Sequence, residues 1–393
     1  MLSEKACSSG QNSVQERVSM KKVLVAALTG SALLALIAVA QTPAAGPYKV
    51  VKTAKTGGDG GFDYIYADND GRKLYIPRTQ PGTPRISVFN LDTLAPITEI
   101  VNDKGARGVA TDTKSGHGFA SSSPVLMFDT KTLAVIKKID VQGGPDGILG
   151  DAFSGRIYVL SHSEPNITVI NAADGSIAGT INIGGAPEQA ATDGKGRIYV
   201  DVEDKDNVAV VDTKTMTVVG HYDVAGKGGT CAGLAIDAKN NILFAACRNP
   251  ANMVIMSAAD GKILATIPIQ AGTDGATFNP ATMEAFSTAG DGTVSIVKEN
   301  SPTSFVAEQV VQTKPGAKTI AIDYKNNLIL TMTQEYGPVP PPAAAPPAPA
   351  PGAAPAPGPG GPGGPGGPGG GRGRGPGRGP VVPDSFTILA IGK

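Results

Sequence analysis

The chain is predicted to be an all-β protein, a seven-bladed β-propeller of four-stranded antiparallel blades, and three observations predict it. An apolar stretch ending in an acidic or amide residue recurs at Asp68, Asp112, Asp151, Asp193, Asp237, Asn279 and Asp323, at intervals of 44, 39, 42, 44, 42 and 44 residues. Between these anchors apolar residues run in short β-rich segments, such as Arg197-Ile198-Tyr199-Val200 and Val208-Ala209-Val210-Val211. Their spacing of two excludes helical repeats of similar length, which need a period of 3.6. Four strands in about 42 residues is the period of a propeller blade.

Six blades follow in order, over about 61–101, 106–141, 145–183, 187–224, 230–269 and 273–313. The seventh begins at 318–323, continues through 328–331, breaks into a Pro/Gly tract and resumes at 385–391. It has three strands, and the missing fourth is available at the other end of the chain, in residues 48–53. An N-terminal strand laid beside the C-terminal one closes the ring and leaves no unpaired edge. The propeller therefore takes residues 47–336 plus 384–393, large enough to bury its own core without a disulfide framework.

Two segments fall outside it. Residues 337–383 form a low-complexity insertion in blade seven, between its second and third strands, and are expected to be disordered. The first half is Pro/Ala-rich and favours extended polyproline II; the second carries Gly-Gly-Pro triplets with Arg372, Arg374 and Arg378. Residues 1–40 read as a leader with a signal peptide starting at Met20: a basic Lys21-Lys22, an apolar run from Val23 to Ala40, and a small-x-small site at Ala38-Val39-Ala40. The protein is then periplasmic or secreted, with no stable membrane span after cleavage. An uncleaved anchor is the alternative, since 18 apolar residues approach the length that spans a bilayer.

Charge is balanced at 34 basic against 34 acidic residues, and without the leader 30 stand against 32. That excludes broad electrostatic affinity for nucleic acid or an anionic membrane. Export removes Cys7 and leaves Cys231 and Cys247. A regular hairpin about the Asp237 turn puts Ala232 opposite Cys247 and Cys231 one position away. A bridge at the mouth of that blade and two buried free thiols both stand at this point.

The run Gly155-Arg156-Ile157-Tyr158-Val159, then Ile167-Thr168-Val169-Ile170-Asn171, Asp174-Gly175-Ser176 and Thr180-Ile181-Asn182-Ile183-Gly184, resembles the YVTN-type repeats of YncE-like proteins. The lead Gly185-Ala186-Pro187 into the next blade fits as well, and the resemblance covers all seven repeats. It implies an exported propeller with a binding or surface role. The absence of Trp sets the chain apart from WD40 propellers and from quinoprotein propellers with tryptophan docking motifs.

Five residues before each anchor stand Asp63, Arg107, Asp146, Glu188, Ala232, Asp274 and Lys318. These positions enter the innermost strands, at the face shared with the loops joining second and third strands, where function concentrates. Nearby are Tyr64, Gln189 and Cys231, and the adjacent loops add Arg78, Arg85, His162, Glu164, Asp204, Asp206 and Arg248. A polar ligand site at this mouth takes Asp63, Arg107, Asp146, Glu188, Asp274, Lys318, His162 and Arg248. Asp63, Asp146, Glu188 and Asp274 offer oxygen donors suited to Ca²⁺ or Mg²⁺. Alternatively the ring is a set of mutually paired, solvated charges.

No HExxH or GxSxG motif accompanies the three histidines, His117, His162 and His221. His117 is expected in a turn on the opposite face from His162, and His221 in a fourth strand. The expected function is an exported binding or scaffold protein that takes a small polar ligand or a partner protein at the mouth, with no nucleic acid partner. A metal-dependent, lactonase-like hydrolase with Glu188 or Asp146 as base is the second reading. A cell-surface adhesion protein is the third. Asp68-Asn69-Asp70-Gly71 reads as a hairpin turn rather than a calcium loop.

Overall fold

In the computed structural model the described residues are 46–79, 83–101, 104–224, 226–338 and 379–393. The expected leader with Cys7, and the body of the Pro/Gly insertion with its three arginines, lie outside the described residues. Seven antiparallel sheets follow one another around a ring, making a seven-bladed β-propeller. No helix among the described residues is long and apolar enough to cross a membrane.

The seven anchors have one physical job. Each places a side-chain oxygen on a backbone N–H two or three residues ahead, at 2.7–3.2 Å, closing the turn between a blade's first and second strands. Short acidic and amide side chains are the residues that make such turns. In six blades the fourth residue after the anchor adopts a left-handed backbone, at Arg72, Gly116, Gly155, Asn241, Met283 and Asn327, with φ between 51° and 73°. The echo of 39 to 44 residues is thus a repeated turn, with strands on either side of it.

Blade seven is closed as the sequence predicts. Its strands Lys318–Asp323, Leu328–Thr333 and Thr387–Gly392 are completed by Lys49–Lys55 from the start of the chain. Tyr48 anchors that strand sideways: its ring meets Phe286 of blade six edge-on at 5.5 Å, and its backbone exchanges two hydrogen bonds with Gln309. The flanks of the insertion come together at a bridge between Tyr336 and Val381.

Buried apolar side chains gather in seven clusters, one between each pair of neighbouring blades. The closing interface, where Ile65, Leu74 and Ile76 of blade one meet Leu330, Phe386 and Ile388 of blade seven, is as apolar as the others. Each blade therefore buries its faces only against its two neighbours, and the ring is stable because it is complete. The inner strands enclose a central channel of about 520 Å³.

Candidate functional site at the channel mouth

The inner strands begin with a recurrent irregularity. Pro145 faces Ser161 while Ile148 faces Val159, so three steps along the inner strand match two on its neighbour. The same single extra residue occurs between Pro187 and Ala190, Cys231 and Gly233, Thr273 and Ala276, and Lys318 and Ala321. In blade one it falls between Phe62 and Tyr66. Such bulges re-aim side chains, and they lie at or beside Asp63, Asp146, Glu188, Asp274 and Lys318.

The bulge also corrects the expected cysteine register. Regular pairing holds up to Gly233 opposite Ala246, but Ala232 is the extra residue, so Cys231 rather than Ala232 faces Cys247. The two cysteines form a disulfide.

All eight predicted mouth residues meet in one connected array. Arg107 Nη1 lies 2.9 Å from Asp63 Oδ2 and its Nε lies 3.6 Å from Asp146 Oδ1. His162 Nε2 stands between Asp146 Oδ2 at 3.3 Å and Glu188 Oε2 at 3.6 Å. Arg248 Nη2 reaches Glu188 Oε1 at 3.7 Å and Asp274 Oδ1 at 3.5 Å, and Lys318 Nζ lies 3.0 Å from Asp274 Oδ2. Every blade contributes one member, and blade three contributes two, Asp146 and His162. The carboxylates are the inner members and the cations the outer ones: the Glu188 and Asp146 side chains are 2 % and 9 % exposed, whereas those of Arg107 and His162 are 52 % and 37 % exposed.

Backbone packing explains how Glu188 is placed. A Cβ at Gly147 would stand 2.7 Å from the Glu188 carbonyl oxygen, so blades three and four approach this closely only with glycine there. Tyr64 crosses from blade one and donates its hydroxyl to Glu188 Oε2 at 2.8 Å. Beside it, Gln189 ties blade four to blades five and six through Leu234 and Ala276.

Two acids that the sequence reading did not single out complete the array. Glu203 holds Arg248 Nη1 at 3.1 Å. Asp201 is fully buried, and neither of its carboxylate oxygens has a hydrogen-bond partner. Burial, together with the charges of Glu188 and Glu203, holds its carboxyl well above the usual carboxylate range. A visible signal existed: Asp201 is the one acid inside the apolar run Ile198-Tyr199-Val200-Asp201-Val202. The imidazole of His162 is also raised, by its hydrogen bond to Glu188 and the Asp146 carboxylate, against the opposing effect of burial.

Other expectations are revised. All four carboxylates have cation partners, Asp63 and Asp274 at 2.9 and 3.0 Å and Asp146 and Glu188 at 3.6 and 3.7 Å, and Asp146 and Glu188 also stand beside His162. These three offer ligand atoms all within 4.8 Å of one another. Arg78 and Arg85 are strand residues that build a separate cluster on blade one. Arg85 pairs with Glu99 and Asp59, while Arg78 stacks 3.4 Å over Phe386, its guanidinium lowered to about 10 by burial. Asp204 and Asp206 accept backbone N–H groups of Ala186 and Thr230 and so hold loops. His117 opens a second strand rather than sitting in the turn before it, and bonds Ala172 O; His221 bonds Ile183 O from a fourth strand.

No known protein family matches the sequence, and no curated protein does. Among solved structures, a chain from a "Crystal Structure of Mitotic Checkpoint Complex" is similar, with a TM-score of 0.63 and 12 % identity over 79 % of this chain and 95 % of that one. At that identity the likeness carries the propeller fold alone.

Proposed function

We propose that this propeller is an exported binding module whose working surface is the channel mouth, and that its ligand is a small polar molecule carrying an acidic or acceptor group. One observation carries the reading: a charged or polar side chain from every blade converges on one array, with carboxylates beneath and the ends of Arg107, His162 and Lys318 toward solvent. Concave sites of this kind, with a few convergent polar groups above a preformed cavity, are the usual form of small-ligand sites. The YVTN-type repeat pattern and the signal-like leader support export, and cell fractionation with protease accessibility in intact cells tests it.

The direct test is a thermal-shift panel of small carboxylates, phosphates and neutral polar solutes against the wild type and an Arg107→Ala/Lys318→Ala double variant. A ligand that raises the melting temperature of the first and not of the second supports the reading. Equal responses from both, or none from the wild type, sink it.

A metal-dependent hydrolase is the second reading, favoured by His162 standing between Asp146 and Glu188 at 3.3 and 3.6 Å. A lactone hydrolysis assay on Glu188→Gln and Asp146→Asn decides it, with activity lost in both as the supporting result. If instead the chain is an adhesion protein, intact cells lose it to added protease.

A further inference from the structure

We propose that Asp146, His162 and Glu188 form a site for one divalent cation of the imidazole-binding class, Zn²⁺ ahead of Mg²⁺ and Ca²⁺, at the channel mouth. The inference deepens the mouth-binding reading and rests on it only for the claim that the cation meets a ligand there.

The donor set is the first support. One imidazole nitrogen and two carboxylate oxygens suit zinc-like metals, whereas hard cations take oxygen alone. Ligands about 2.0–2.1 Å from a tetrahedral zinc stand about 3.3 Å apart. His162 Nε2 lies 3.3 Å from Asp146 Oδ2 and 3.6 Å from Glu188 Oε2. A cation between them needs little rearrangement, and it leaves the solvent side of the site open.

The surroundings are arranged as metal surroundings are. The second oxygen of each carboxylate faces an arginine, Asp146 Oδ1 toward Arg107 and Glu188 Oε1 toward Arg248. Tyr64 fixes Glu188 from across the channel. Outer partners of this kind orient ligating groups and tune their affinity.

An independent observation points the same way. Asp201 lies on the strand Arg197–Val202, near enough to Glu188, Glu203 and Arg248 for their charges to act on its carboxyl, and Glu203 meets the Arg248 that also reaches Glu188. Asp201 is buried with both oxygens unpartnered. A buried carboxyl without a partner is costly, and a positive ion beside Glu188 offsets that cost. Besides Asp201, five acids, Asp63, Asp146, Glu188, Glu203 and Asp274, surround three permanent cations, Arg107, Arg248 and Lys318. The excess is negative.

The test uses the full chain stripped with a chelator and titrated calorimetrically with Zn²⁺, Mg²⁺ or Ca²⁺ alone. One equivalent of Zn²⁺ is expected to bind, with Mg²⁺ and Ca²⁺ at least a hundredfold weaker. His162→Gln and Glu188→Gln should each weaken Zn²⁺ at least tenfold, while His221→Gln, on the fourth strand of blade four, behaves as wild type. Cobalt substitution gives a second readout, a ligand-field spectrum present in wild type and lost in His162→Gln. No saturable binding, or affinity unchanged in both mouth variants, overturns the proposal. The ligand panel repeated in chelator reports on the mouth without metal, and the titration without ligand reports on the cation site, so the two readings fail separately.

Discussion

The same inner strands carry two charge clusters at their two ends, and the contrast between them separates structural charge from available charge. At the closing end Arg72 of blade one clamps Asp323 of blade seven with both guanidinium nitrogens at 2.8 Å, and a third contact at 2.8 Å joins Asp92. Lys325 and Asn326 also turn toward Asp92. At the mouth the contacts to Asp146 and Glu188 from Arg107, His162 and Arg248 are 3.3–3.7 Å, and acids outnumber permanent cations. Paired forks at short range fix geometry. Looser and unbalanced charge is what a ligand or a cation can reorganise at small cost.

The largest effect expected from this contrast is at the closing end. Asp323 is fully buried beside Arg72, so Arg72→Ala leaves an uncompensated interior charge and should cost about 3–5 kcal/mol. Equilibrium urea unfolding measures it. Arg107→Ala, at a position half open to solvent, should cost no more than about 1 kcal/mol. A larger loss at Arg107 than at Arg72 would erase the distinction between the two ends.

The disulfide stands between these extremes in size and belongs to the mouth. Cys231 and Cys247 are 16 residues apart, which gives a loop-closure contribution of up to about 3 kcal/mol. Because both ends already sit in one ladder, the expected loss on Cys231→Ala/Cys247→Ala is smaller, about 1–2 kcal/mol. Melting of the variant beside wild type checks it. A loss comparable to that of Arg72→Ala would mean that the mouth, too, holds the ring shut.

What the sequence made legible follows the same division. Ring closure was readable because it rests on period and alternation: the Asx turns recur at fixed intervals, and residues 48–53 were the one strand without a place. Six of the mouth residues were readable because counting back from an anchor keeps phase around the ring, and His162 and Arg248 because their loops open on the same face. Their pairing was not. A bulge shifts register by one residue without any mark in composition, so Cys231 facing Cys247 directly, and His162 lying between Asp146 and Glu188, needed coordinates. Asp201 was visible as an acid in an apolar strand, yet its lack of partners depends on side-chain packing that no spacing rule describes.

The smallest predicted effect sharpens the comparison most, because the two ends should respond to pH in opposite directions. Asp323 is pulled below its ordinary value: burial opposes this, but the hydrogen bonds from Arg72 and Asn326 prevail. Its contribution is therefore present above the unfolded carboxylate range, near about 3.9, and is lost as pH falls through the depressed value. Asp201 is raised by burial and by Glu188 and Glu203. Its folded form keeps a proton that the unfolded chain has released, so stability is whole below about pH 3.9 and declines as pH climbs toward the raised value. Melting temperature followed from pH 3 to pH 8 should show both limbs. Asp201→Asn should flatten the upper limb, raising the melting temperature at pH 7–8 by on the order of a degree or two and leaving it unchanged near pH 4. If the variant instead melts lower at neutral pH, the Asp201 carboxylate is ionised and compensated in the native mouth, and the excess negative charge inferred there is already neutralised within the protein.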